Sequence, residues 1–73
     1  MQIVATAGQL ALIAERSPGY AVDIVMDDGS AAPASGIAFR RRESGRRDRA
    51  YVAMTLAGRP ALFPAETELR IRD

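Results

Sequence analysis

Arginine is the residue of this chain whose type and spacing best suit chemistry with a ligand. Six arginines fall within residues 40–49, where Glu43 and Asp48 are the only acids, so the segment carries a local charge of +4. The whole chain carries +1, which leaves the remainder net acidic. A guanidinium group stays charged at physiological pH, binds phosphate or carboxylate through two parallel hydrogen bonds, and stacks on aromatic rings. The clustering therefore predicts a basic pole that attracts an anionic partner.

The arginines are predicted to lie on one long β-hairpin from Gly36 to Met54. Its two halves alternate apolar and polar residues at their outer ends, and the dipeptide Ser44-Gly45 is a turn signal between them. Directly paired residues share a face of a hairpin. A two-residue loop at Ser44-Gly45 sets a register that pairs Arg42 with Arg47, Arg40 with Arg49, Arg41 with Asp48, Glu43 with Arg46, Phe39 with Ala50, and Ile37 with Val52.

One face of this predicted hairpin carries arginines without any acid, and an aromatic ring lies beside them. The alternative is a hairpin without a ligand, whose arginines only keep it soluble. Facing like charges count against this alternative, because they cost stability unless an anion is bound. A two-stranded ribbon is also narrow enough for the major groove of DNA. The predicted nucleic-acid or anion-binding residues are the four on that face, the one at the tip and the aromatic residue: Arg40, Arg42, Arg47, Arg49, Arg46 and Tyr51.

Catalysis is not expected. Cysteine and histidine are absent, which removes thiol nucleophiles, disulfides, the commonest zinc ligands and the usual proton shuttle. The serines lie in turn contexts without a histidine base. The run Asp27-Asp28-Gly29-Ser30 lacks the alternating acids of a calcium loop and is typical of a turn. The sequence predicts no cofactor and no metal.

A chain of 73 residues is one domain, residues 1–73, at the small end of what folds alone. It either uses its apolar residues efficiently or shares some with a second copy, so a homo-oligomer is among the expected partners. No run of 18 apolar residues exists, and the fairly apolar start lacks the basic region of a signal peptide. We therefore expect a cytoplasmic protein without a membrane partner.

The first sixteen residues fit two structures. Thr6 and Gln9 have the spacing of a capping box, and Leu10 and Ile13 would line a helix that ends before Pro18. The same residues also alternate as two short strands about Gly8. The similarity of residues 7–15 to residues 57–66, where prolines bar a helix, favours strand, turn and strand.

The rest of the chain predicts short strands separated by turns. The predicted strands outside the hairpin are Tyr20–Met26, Ala61–Phe63 and Glu68–Arg72, the last with Leu69 and Ile71 inward. Small residues after Asp27 and through Ser35 predict a loop. Five to seven short antiparallel strands at this spacing indicate an all-β fold, a small barrel or sandwich.

The C-terminal segment GRPALFPAETELRI resembles the end of a Src-homology-3 (SH3) barrel. In that family a strand ending Leu-Phe-Pro is followed by one 3₁₀ turn and a closing strand. The resemblance implies an SH3-like barrel, and it implies that Pro64 lies where the family lines a groove for proline-rich peptides. Thr67 stands where the family has a tyrosine, so the resemblance concerns fold more than activity.

Two function hypotheses follow. The first is a non-catalytic module that presents its arginine-rich hairpin to nucleic acid or another anionic surface. The second is a structural or regulatory subunit, such as an assembly component or a small inhibitor, that binds an acidic protein or self-associates through a strand edge. Steep, log-linear salt dependence distinguishes the first from the second.

Overall fold

Six strands and one helix make up the fold of the computed structural model, which describes residues 2–44 and 47–72 and, for 42–44 and 47–49, the backbone alone. The elements are β1 (Gln2–Thr6), α1 (Ala7–Arg16), β2 (Val22–Val25), β3 (Ala31–Ser44), β4 (Arg47–Leu56), β5 (Arg59–Pro64) and β6 (Glu68–Arg72). The strands form one antiparallel sheet in the order β1-β6-β2-β3-β4-β5. The predicted all-β antiparallel class is confirmed, but the described sheet is not closed, since β1 and β5 lie at its two edges.

The N-terminal segment is a strand followed by a helix. Thr6 caps α1 through a capping box: its hydroxyl accepts from the backbone N–H of Gln9 at 3.1 Å, and the Gln9 side chain accepts from the N–H of Thr6 at 2.8 Å. The favoured prediction of two strands about Gly8 is wrong from Ala7 onward. That prediction rested on the similarity of residues 7–15 to residues 57–66, which contain prolines. Residues 7–15 contain none, so nothing before Pro18 stops the capped helix.

The core lies between α1 and one face of the sheet. Leu10 and Ala11 of the helix are fully buried, and the sheet contributes apolar residues from β2, β3, β4 and β6. The predicted loop through Ser35 is wrong, because β3 already begins at Ala31. Ala32 and Ala34 are buried in this part of β3, and their small side chains leave room for the helix to pack closely on the strand.

Strand β2 is shorter than predicted and ends in a tight turn. Gly29 has a φ of 86°, which glycine adopts without strain. The Asp28 carboxylate accepts hydrogen bonds from the hydroxyl of Ser30 at 2.6 Å and from its backbone N–H at 2.9 Å. These bonds favour the charged form and lower the pKa of Asp28. The acidic run therefore works as a turn, as its spacing predicted.

Two turns near the C-terminus connect β5 to the rest of the fold. Ala57 and Gly58 have φ values of 52° and 78°, the two positive values of a type I′ hairpin loop. After β5, the N–H of Thr67 donates to the carbonyl of Pro64 at 3.0 Å in the predicted tight turn. The last strand buries Leu69 and Ile71, which confirms their predicted inward orientation.

The same tight turn holds the first residues of α1. The N–H groups of Ala7 and Gly8 donate to the carbonyls of Thr67 and Ala65, both at 2.9 Å. A Cβ on Gly8 would lie 3.2 Å from the Ala65 carbonyl oxygen, so glycine permits this close approach. Within the described part of the chain, no helix has the length and apolar composition needed to cross a bilayer.

Candidate functional site

The arginine-rich segment is a long antiparallel hairpin made of β3 and β4, as predicted, but its register differs. Arg40 pairs with Tyr51, Arg42 with Arg49 and Ser44 with Arg47. The predicted pairs Arg40 with Arg49 and Arg42 with Arg47 are therefore wrong by two residues. Ser44 lies opposite Arg47 within the paired strands, so the prediction of Ser44 as a loop residue is wrong. Gly45 and Arg46 lie outside the described residues.

The displaced register changes the charge pairs. Arg41 lies opposite Ala50 and Glu43 lies opposite Asp48, so neither predicted opposite-charge pair forms between directly opposed positions. The arginines make one directly opposed like-charge pair, Arg42 with Arg49, instead of the two that we predicted. Glu43 and Asp48 make a second like-charge pair. With two such pairs and neither opposite-charge pair, facing like charges cost at least as much as in the predicted register.

A displacement of two residues preserves the sorting of positions into two sets, because strand positions alternate with period two. Cross-strand pairing groups Arg40, Arg42, Arg47 and Arg49 with Tyr51 and Ser44 in one set. The other set contains Arg41 together with both acids, Glu43 and Asp48. We call the four arginines of the first set the arginine ribbon. Its charge is +4, without an acid at any position of that set.

A β-bulge decides which face the ribbon positions occupy. The β3–β4 register shifts between Ser35 and Ala38, and Gly36 has a φ of 61° within this interval. Ala34 and Ile37 are both buried in the core although they are three residues apart, which a regular strand with period two does not allow. The bulge thus returns β3 to the core face at Ile37 and places Arg40, which is exposed, on the opposite face.

The described base of the ribbon is a row of three residues across three strands. Arg40 lies opposite Tyr51, and Tyr51 lies opposite Pro64 on β5. Arg40 is exposed, whereas Tyr51 and Pro64 are half-buried. A cationic group beside an aromatic ring on an accessible sheet face can bind a phosphate and stack a base at adjacent positions.

The neighbouring row on the same face is apolar and was not predicted from the sequence. Ala38 lies opposite Ala53, and Ala53 lies opposite Leu62, whose side chain is 45% exposed. The alanines leave a shallow floor next to Tyr51. The outward orientation of Leu62 could have been predicted from alternation along β5. Phe63 packs against the core, so its neighbour Leu62 faces the other side of the sheet.

A pocket of about 250 Å³ lies elsewhere, between the end of β2 and the start of β6. Its walls are mainly apolar, with Leu56 and Phe63 among them, and Asp27, Glu68 and Arg70 also line it. The mixed charges give it no preference for an anion. Among residues 2–44 and 47–72, no group of three or more acids could hold a metal ion.

Comparison of the chain with protein-family models, with curated proteins and with solved structures finds no match.

Proposed function

We propose that this chain is a non-catalytic binding module that presents the arginine ribbon to nucleic acid. The single observation that carries the proposal is the pairing of β3 with β4, which groups four arginine positions with Tyr51 and groups both acids with the opposite set. Scattered surface charge would mix the two signs. A set in which every charged position is cationic instead provides a track for a phosphate backbone.

The residues at the base of the ribbon suggest how a nucleic acid would lie on it. Arg40 and the ribbon positions beyond it bind phosphates, and Arg46, which lies outside the described residues, stays a further contact predicted from the sequence. Tyr51 stacks a base, and the small side chains of Ala38 and Ala53 let that base approach the sheet. Base–aromatic stacking requires unstacked bases, so single-stranded nucleic acid is the preferred ligand of this arrangement.

We further propose that β2 to β6 form an SH3-like unit. The support is their order in the sheet, β6-β2-β3-β4-β5, together with the tight turn of Pro64 to Thr67 between β5 and β6 and the resemblance of the C-terminal sequence. Strand β1 and helix α1 are additions at the N-terminal side of this unit. Binding of proline-rich peptides is not part of the proposal.

The test is a salt titration of binding to a labelled single-stranded oligonucleotide and to a duplex. Neutralising four phosphates gives a slope of about −2.8 in log K against log salt concentration for single strands and about −3.6 for duplex DNA. We expect tighter binding to the single strand and a slope near the first value. The fourfold change of Arg40, Arg42, Arg47 and Arg49 to serine should abolish this binding.

The chain offers a matched control. Arg16, Arg59, Arg70 and Arg72 are exposed and lie outside the hairpin, so changing these four to serine removes the same net charge from other places. If both fourfold variants lose binding equally, attraction is nonspecific and the ribbon is not the site. If neither variant nor the wild type binds an oligonucleotide while the wild type retains an acidic protein, the second hypothesis replaces the first.

A further inference from the structure

The two edges of the sheet are protected very differently. Strand β1 contains no charged residue, proline or glycine. Its two large apolar residues are exposed on opposite faces, Ile3 by 48% and Val4 by 59%. Natural edge strands usually carry charges, prolines or bulges that prevent pairing with another chain. Strand β5, at the other edge, contains Pro60 and Pro64.

The prolines of β5 occupy positions whose N–H group would face an added strand. The N–H of Ala65 donates to the carbonyl of Ala50 at 3.0 Å, which continues the β4–β5 pairing, so the odd-numbered residues of β5 bond to β4. The N–H positions of residues 60, 62 and 64 therefore face away from the sheet. Pro60 and Pro64 remove the donor from two of these three positions. Edge β5 is thus closed to strand addition.

The open backbone groups of β1 follow from its hydrogen bonds to β6. The N–H of Ala7 donates to the carbonyl of Thr67 at 2.9 Å, which continues the β1–β6 register, so Ile3, Ala5 and Ala7 bond to β6. Residues 2, 4 and 6 face away. The N–H of Thr6 is already bonded to the Gln9 side chain at 2.8 Å, and its carbonyl belongs to the first helical turn. The open edge consists of the N–H and C=O groups of Gln2 and Val4.

We propose that β1 pairs in an antiparallel manner with β1 of a second copy, about a two-fold axis at Ile3. In this register Gln2 lies opposite Val4 of the second copy and Val4 lies opposite its Gln2, so all the open groups form hydrogen bonds, four in total. A register centred on Val4 would bring Gln2 to Thr6, whose groups are occupied. The register centred on Ile3 is therefore the one that satisfies the edge.

The second copy is the partner of this edge because the segment is self-complementary. The pairing brings no like charges together, and it places Ile3 against Ile3 of the second copy at a closely spaced pair on the helix side of the sheet. Val4 packs beside Gln2 on the other side. Isologous contacts of this kind give a closed dimer without a free β1 edge. The pairing does not depend on the arginine ribbon.

The first experiment compares wild type, Val4→Pro and Val4→Thr by sedimentation equilibrium over concentrations up to millimolar. The N–H of Val4 faces away from β6, so proline removes two of the four intermolecular bonds and leaves the β1–β6 pairing intact. We expect Val4→Pro to raise the dimer dissociation constant by at least about tenfold, with an unchanged circular dichroism spectrum, and Val4→Thr to behave like wild type. A wild type that stays monomeric, or a folded Val4→Pro variant that dimerises equally well, overturns the proposal.

A second experiment tests the register itself. The chain has no cysteine, so single substitutions report on one pair of positions. In the proposed register the two Cα atoms at position 3 are about 4.5 Å apart, within disulfide range, whereas those at position 4 are diagonal neighbours roughly 7 Å or more apart. Ile3→Cys should oxidise to a covalent dimer much faster than Val4→Cys at equal concentration. Equal rates, or faster linkage at position 4, overturn the register.

Discussion

The hairpin arm, residues 40–50, and the body of the molecule differ in what their residues contact. Every buried apolar residue among the described side chains lies in the body, and the last before the arm and the first after it are Ile37 and Val52. In the arm, Arg40, Arg41 and Ala50 are exposed. The body therefore holds the apolar burial that stabilises the fold, whereas the arm holds most of the positive charge.

This division separates the apolar packing that stabilises the fold from the concentrated positive charge that opposes it. Cationic groups close together destabilise the part of a protein in which they lie. Here they extend from the sheet on two strands whose register is set by the body, through Phe39 opposite Val52. Substitutions should accordingly affect stability in the body and binding in the arm, with little overlap.

The largest effect is expected at Leu10, the α1 residue that is fully buried between the helix and the sheet. Leu10→Ala leaves a cavity between helix and sheet and should lower the free energy of unfolding by about 3 kcal/mol. Leu12→Ala is the control on the same helix, since Leu12 is 55% exposed, and should cost well under about 1 kcal/mol. Urea denaturation followed by circular dichroism measures both. Equal losses would show that the helix does not cover the core as described.

Ala34 should be the next most sensitive position. It is fully buried in β3, and Ala34→Leu forces the helix away from the strand at a cost of about 2 kcal/mol. Ala31 begins the same strand and is exposed, so Ala31→Leu is a matched addition that should change the free energy of unfolding by less than about 0.5 kcal/mol. A well-tolerated leucine at position 34 would contradict close packing of α1 on β3.

Ala34 also shows why part of the fold was not predictable from local pattern. A run of alanine, serine, proline and glycine is typical of a loop, and only the helix packed above it requires small residues in a strand. That helix was itself the disfavoured interpretation of residues 7–16. The strands with large alternating residues, such as Leu69 and Ile71, were predicted correctly because their pattern needs no tertiary information.

The candidate site, too, was predictable only where local alternation decides the outcome. The grouping of arginine positions was predictable because it depends on whether a position is odd or even, which survived an error of two residues in register. The register was predicted from the turn dipeptide alone, whereas the pairing of Phe39 with Val52 in the body sets it, and local alternation does not contain that pairing. The bulge at Gly36 had one sequence signal, an isolated glycine within a strand.

Gly36 lies where arm and body meet, and we expect a moderate effect there. Its φ of 61° is in the left-handed region, and no atom lies within 4 Å of a Cβ built at this position. Gly36→Ala should therefore cost about 1 kcal/mol through backbone strain alone. Thermal denaturation measures the loss, and a neutral result would mean that the bulge relaxes. The variant should retain oligonucleotide binding if the bulge re-forms with alanine.

Ala57 offers the reverse substitution in the loop between β4 and β5. Its φ of 52° is unfavourable for alanine, and Asn-Gly is the preferred dipeptide of such loops. Ala57→Asn should raise the free energy of unfolding by about 0.5 kcal/mol. Ala57 is exposed and lies outside the arm, so the substitution changes the loop alone. Destabilisation by Ala57→Asn would indicate a different loop conformation.

The smallest effect on stability is expected where the effect on binding is largest. The core described by the structure consists of apolar residues of the body, and changing all four ribbon arginines to serine removes the opposed pair Arg42 and Arg49. We expect a change in the free energy of unfolding within about 0.5 kcal/mol, with a gain at low salt that disappears as salt screens the repulsion. Urea denaturation at two salt concentrations measures it. A large loss of stability would mean that the arm contributes to the fold, and the loss of oligonucleotide binding in that variant would then report unfolding and not the removal of contacts.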